Sequence, residues 1–263
     1  MTNYDMTSSR VGTLAWAERT GGILSRGERI GLLGDAVRLQ MRILPAQTRT
    51  LLGRTNRRAF SVDPNRLSVP DTMIAKEAEA LCSEVSTPAL LNHCLRSYAW
   101  GTILASRDGL EYDSELLYVT CLLHDLGLTD RYRDTVIGQA CFAATAATIA
   151  RDWSRERDWR EPRCRALADA ICQHLNPDVP PERGIEAHLM QAGAGFDVIG
   201  MRHWEVATPT VKAVLARHPR LGFKKSFGSA ICAQADHHHG TRTHFLHRYL
   251  WFGARINRAP YEE

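Results

Sequence analysis

Apolar residues along this chain recur at steps of three and four, the period of a helix with one buried face. The segment TMIAKEAEALCSEV, residues 72–85, shows this spacing, with Pro70-Asp71 ahead of it as a helix start. Ser86-Thr87-Pro88 is a second start signal, with proline suited to a first helical turn. The helix it opens is predicted to run through His93, Tyr98 and Trp100 to about Ser106. Asp113-Ser114 opens a third, SELLYVTCLLHDLG, which stops at Gly127. FAATAATIARDW, RCRALADAICQHL and GIEAHLMQAGAGFDVIG continue the pattern. No segment keeps a two-residue alternation between turn signals, and no internal repeat stands out, so the expected fold is all-α.

The first part of the chain reads differently. Residues 1–27 are rich in Gly, Ser and Thr and are expected to be irregular; residues 28–58 read as one or two basic helices interrupted near Pro45. Asp63 and the prolines up to Pro70 mark the best boundary. The expected organisation is an Arg-rich, partly irregular extension over 1–68, then a helical domain over 69–263 with its core at about 86–200. Residues 1–70 hold 11 Arg, no Lys and 5 acidic residues, so the charge of +6 there exceeds the whole chain's +4. A basic leader could meet nucleic acid or an anionic surface. It lacks the interleaved aromatics of a single-strand binder and the spacing of a zinc finger, so an Arg-rich packing arm is preferred and nucleic acid is not favoured.

Composition sets the outer bounds. At 263 residues, 44% apolar and 24% charged, the chain has globular proportions and can bury a sizeable core. No apolar run approaches the ~20 residues of a transmembrane helix, and the start lacks the apolar stretch of a secretory signal, so no membrane is expected. Seven cysteines with no C-x-x-C pair read as reduced core thiols, and the expected compartment is the cytoplasm.

The strongest local chemistry lies in Leu122-Leu123-His124-Asp125-Leu126-Gly127, an imidazole and a carboxylate side by side at the end of an apolar helix. Burying both is costly unless their polarity is met, and a divalent cation can do that. Neighbours on a helix point about 100° apart, so one ion is gripped by both only where the helix ends, which Gly127 would arrange. The plain alternative is a helix-end histidine with an aspartate capping the next turn. His93 lies 31 positions before His124, and Asp197 lies 72 positions after Asp125 in an apolar, Gly-rich helical stretch that also asks for a partner.

This order, His … His-Asp … Asp on successive helices, resembles the HD-domain metal-dependent hydrolase superfamily. The resemblance implies a helical bundle in which His93, His124, Asp125 and Asp197 hold one metal, with the family core over the central helices. Ser86 to Tyr98, Glu115 to Val119, and His124-Asp125-Leu126-Gly127-Leu128-Thr129 look like the cyanamide hydratase branch. The likeness spans roughly residues 70–200 and continues weakly through Pro219 to Lys224. Leu128 stands where cyclic-dinucleotide phosphodiesterases of the superfamily often carry Lys, and the adjacent His pair of several two-metal members is missing.

The resemblance implies one divalent ion, Zn first and Fe or Mn next. Such an ion lowers the pKa of bound water for attack on an electrophilic carbon, as in a nitrile, or on phosphorus. Asp125 would be both ligand and proton acceptor. The expected function is hydrolysis or hydration of a small molecule in the manner of a cyanamide hydratase. The alternatives are a phosphohydrolase of a nucleotide or small phosphate ester, and a catalytically degenerate regulatory or binding module. The expected partner is a small-molecule substrate, and a homo-oligomer stays open.

Other residues carry weaker signals. His174 ends another helix and is a catalytic candidate on the substrate side, its alternative being a histidine favoured there by the helix dipole. His188, nine residues before Asp197, is rotated by about 180° on an ideal helix and is set aside. Arg96 could stabilise an anion or pair with an acid, with an exposed ion pair the commoner outcome; Asn92 could bond a ligand or face solvent. His237-His238-His239 with His244 and His247 lacks four-ligand spacing and reads as incidental metal affinity. Trp204, Tyr249, Trp251 and Phe252 read first as core packing, then as a pocket cover or dimer seam.

Overall fold

In the computed structural model, which describes residues 10–52, 59–133 and 140–263, the chain is all-α, and no strand occurs among the described residues. The helices are α1 (Leu14–Thr20), α2 (Arg26–Leu51), α3 (Met73–Val85), α4 (Pro88–Asp108), α5 (Ser114–Leu123), α6 (Phe142–Arg155), α7 (Glu161–Gln173), α8 (Ile185–Ile199), α9 (Thr208–Arg217), α10 (Phe223–His237), α11 (Arg242–Tyr249) and α12 (Phe252–Asn257). None of them is long and apolar enough to cross a membrane.

The expected starts hold where a side chain can take up the first free amides. Thr87 accepts from Leu90 N ahead of α4, and Asp113 accepts from Leu116 N ahead of α5. For α3 the cap is Thr72 rather than Asp71. α4 is buried continuously from Arg96 to Ala105, so it is the central helix, with α8 its main partner and α5 alongside. α8 runs antiparallel to it, with Asp197 against His93 and Gly193 against Ser97. The helices approach so closely that a Cβ on Gly193 would lie 2.2 Å from the Ser97 carbonyl oxygen. Only glycine fits there, and one turn along in opposite directions the same register brings Asp197 to His93.

Other expectations are corrected, among them the break near Pro45. α5 ends at Leu123, not Gly127; Leu126–Leu128 form a 3₁₀ turn, and Gly127 is needed because a Cβ would sit 2.2 Å from the Phe142 carbonyl oxygen. The segment expected to be irregular contains α1, whose Trp16 is fully buried and whose Leu14 N–H donates to Asp169 on α7. Residues 1–9 and 53–58 of the expected extension lie outside the described residues.

α2 is a single helix through Pro45. Proline removes the bond to the Met41 carbonyl, but Met41 and Pro45 lie on the exposed side, where water can replace it. The Gln40–Gln47 amide bond of 2.8 Å spans the proline on the other side. Six of the seven cysteines are buried, and none is paired.

Candidate metal centre

Three histidines converge through one device used twice and a variant used once. His124 and His174 each stand immediately after the last residue of a helix, α5 and α7, where carbonyls lack partners. Each turns Nδ1 back onto the carbonyl three residues earlier, His124 onto Cys121 at 2.7 Å and His174 onto Ile171 at 2.6 Å. A carbonyl only accepts, so Nδ1 carries the hydrogen and Nε2 is left as a lone pair. His93, in mid-helix on α4, donates Nδ1–H to Asp197 Oδ2 at 2.8 Å and is left with the same free Nε2.

The free nitrogens point into one place. His93 Nε2 and His124 Nε2 are 3.3 Å apart, and Asp125 Oδ2 lies 3.5 Å from the first and 3.2 Å from the second. His174 Nε2 stands 3.9 Å from Asp125 Oδ1. All four side chains are almost wholly buried, and neither Asp125 oxygen has a hydrogen-bond partner. Facing lone pairs beside an unpartnered carboxylate repel unless a positive charge lies among them.

Electrostatics within the cluster follow the same geometry. Burial works against a charged His124, but the adjacent Asp125 carboxylate prevails and raises its pKa above the ordinary histidine value. Burial also opposes ionisation of Asp125, yet His124, His93 and His174 together hold it down to about 2. Burial, helped by His124, pushes His174 down to about 3, and burial likewise lowers His93.

His93, His124 and Asp125 each offer a donor atom within 4.8 Å of the others and could hold a metal ion. Two donors about 2.0–2.1 Å from a tetrahedral ion stand about 3.3–3.4 Å from each other, close to the separations seen here. The donor set fits a borderline divalent cation.

Asp197 is not brought to this point. It lies behind His93, and its carboxylate is filled. Arg96 grips it with Nε on Oδ1 at 2.7 Å and a terminal nitrogen on Oδ2 at 2.9 Å; Trp100 Nε1 and Arg220 add 3.2 and 3.4 Å contacts to Oδ1. Burial would raise its pKa, but Arg96 and His93 hold it far below the carboxylate range. It orients and polarises His93, the usual work of a carboxylate behind a metal-bound imidazole.

Arg96 therefore pairs with an acid, as one reading held, but wholly buried instead of exposed. Asn92 bonds the Pro219 carbonyl, and His188 turns to the Val179 carbonyl. Phe223 stacks on His93 with ring centres 4.7 Å apart, a contact the sequence did not signal.

The four residues line a cavity of about 520 Å³, closed on one side by α2 and bordered by Gln191, Val198, Phe227 and Leu246. Trp204 and Phe252 line it too, Phe252 also packing against the core, while Tyr249 and Trp251 are exposed. Arg242, missed in the sequence, is buried beside it and donates to the Cys172 carbonyl and Asn176 Oδ1, fixing the end of α7 that carries His174.

Comparison with known proteins agrees with this geometry. The family model of the HD domain matches residues 90–193, a range that holds His93, His124, Asp125 and His174 and stops before Asp197. The chain is 24% identical over 176 residues to the cyanamide hydratases DDI2 and DDI3 of Saccharomyces cerevisiae, covering 62% of this chain and 72% of each relative.

Proposed function

We propose, from the HD domain over residues 90–193, that the chain is a metal-dependent enzyme that adds water to a small molecule, with hydration of a nitrile-type carbon as its chemistry. The observation that carries this reading is the convergence of three imidazole lone pairs and an unpartnered carboxylate in one buried cavity. His93 Nε2, His124 Nε2 and Asp125 would hold the ion, with Zn preferred for two imidazoles and a carboxylate and with Fe or Mn next. Once bound, such an ion supplies Lewis acidity and lowers the pKa of water at an open position towards neutrality.

The chain's own groups do the rest. Asp197, clamped by Arg96, holds His93 in the tautomer that leaves Nε2 free. Asp125 Oδ1 and His174 Nε2, on the same side of the cavity, are the acceptors that orient a water and take its proton. Hydration of a nitrile to an amide, or of cyanamide to urea, moves both protons of the water from oxygen to nitrogen in two steps, with no redox change, so this pair returns each proton it takes. The name of the two relatives points to the same reaction.

Among the described residues that line the cavity, Arg255 is the one permanent cation, and it is exposed. A phosphate ester would find no cluster of positive charge, so the hydration reading is preferred. The test is elemental analysis of untagged protein, followed by assays of cyanamide and phenyl phosphate. About one Zn, Fe or Mn per chain, lost in His124→Ala/Asp125→Ala, is expected. Metal absent from both proteins after reconstitution would overturn the reading in favour of a binding module.

A further inference from the structure

α2 lies outside the matched HD region, yet one of its faces looks into the metal cavity. Ala36, Gln40, Ile43 and Gln47, at successive steps of three and four, line the wall. Beyond Leu32, no α2 residue whose side chain is described is buried. Met41 and Leu44, on the outer side, are 62% and 52% exposed. The helix is therefore tied down near its start, where Trp16 Nε1 donates to Glu28 at 2.8 Å, and by the Arg42–Asp178 pair. Along 36–47 its inner face meets the cavity in place of a core.

The cavity is too large for the relatives' named substrate. About 520 Å³ falls within the ~300–1,000 Å³ range of pockets that enclose drug-sized ligands, whereas cyanamide is only a few atoms across. Its polar lining away from the metal cluster is chiefly amide. The Gln40 side chain donates to Gln47, and Gln191 donates to the Asn176 and Pro177 carbonyls. Apart from Arg255 at the exposed edge, the remaining lining is chiefly aliphatic and aromatic, including Val198, Phe227 and Leu246.

We infer that α2 is the substrate-selecting wall of this site, and that the substrate is a neutral, mainly apolar molecule on the order of ten to twenty non-hydrogen atoms carrying one hydratable group. This rests on the cavity being the active site proposed above. A molecule of that size supplies the apolar contact that the inner face of α2 lacks, so binding orders the helix as well as filling the site.

The experiment uses metal-loaded full-length protein, with benzamide as a neutral, product-like probe and phenyl phosphate as an anion of related shape. Hydrogen exchange by mass spectrometry and calorimetric titration are read together. Benzamide is expected to slow exchange in residues 35–47 and to bind at least tenfold more tightly than phenyl phosphate. Ile43→Trp, which fills the cavity from α2, is expected to weaken benzamide at least tenfold, and Gln40→Ala several-fold, with metal content unchanged in both. Benzamide binding unaffected by either α2 substitution, no added protection in 35–47, or tighter phenyl phosphate binding would each overturn the inference while metal content stays at about one ion. Wild-type protein that takes up no metal would instead sink the function on which it rests.

Discussion

Two regions of this molecule are rich in histidine, and only one is arranged to grip an ion. His93, His124 and His174 are buried, and each has Nδ1 committed to a backbone or carboxylate acceptor, so every Nε2 faces inward toward Asp125. The end of α10, the turn after it and α11 carry His237, then His238 and His239, then His244 and His247. There His239 and His244 meet through their Nδ1 atoms at 3.3 Å, and His244 Nδ1 also lies 2.9 Å from the Ala235 carbonyl. No carboxylate joins them in a group of metal-ligating atoms among the described residues. Histidine count is thus a poor guide. Helix ends and a buried acid that fix the tautomer are what make donors converge.

The hardest blow to the buried region is Asp197→Ala. It strands Arg96, Arg220 and His93, and is expected to cost about 3–5 kcal/mol in urea denaturation of metal-free protein. A loss below about 1 kcal/mol would break the claim that this carboxylate anchors the cluster. Asp125→Asn sharpens the contrast between the two aspartates. It removes the charge that the three imidazoles hold ionised but breaks no hydrogen bond, so it should cost metal-free stability about 2–3 kcal/mol, less than Asp197→Ala, while abolishing tight metal binding.

Acidity gives a third, smaller handle. His174 has its pKa pushed down to about 3 when folded, against about 6.5 unfolded. The unfolded chain therefore binds the extra proton between those values. The stability this group contributes is complete above about pH 6.5 and falls by up to about 1.4 kcal/mol per pH unit as the solution is acidified. His174→Gln should flatten that slope in metal-free protein, and an unchanged slope would place the loss elsewhere. Smallest of all, His239→Ala/His244→Ala should leave stability within about 0.5 kcal/mol and the bound metal at wild-type stoichiometry. Loss of the ion there would overturn the distinction between the two regions.

Much of the bundle was legible because its signals are local. Thr87, Pro88 and Asp113 start helices whose apolar spacing shows they must be buried, and His124-Asp125 at the end of α5 announces itself by sitting in an apolar run. What escaped notice depends on pairs remote in sequence. Arg96 reads as a surface residue until Asp197, 101 positions away, is seen to accept it in a bidentate bond. α2 reads as a basic arm because five arginines outweigh its two acids, and nothing in its own sequence says that Gln40, Ile43 and Gln47 look onto the cavity of the His–Asp cluster.

The amino-acid order by itself determined the central helices, the caps of α4 and α5 and the residue types able to bind a cation, since period, capping and side-chain chemistry act within a few residues. It named Asp197 but could not say whether that carboxylate meets an ion or stands behind a histidine. The tertiary structure decided this through the close α4–α8 crossing at Gly193, which seats Asp197 against Nδ1 of His93 and lets Arg96 fill its remaining lone pairs. Which nitrogen faces the cavity, and how large that cavity is, follow from packing between helices far apart in the chain.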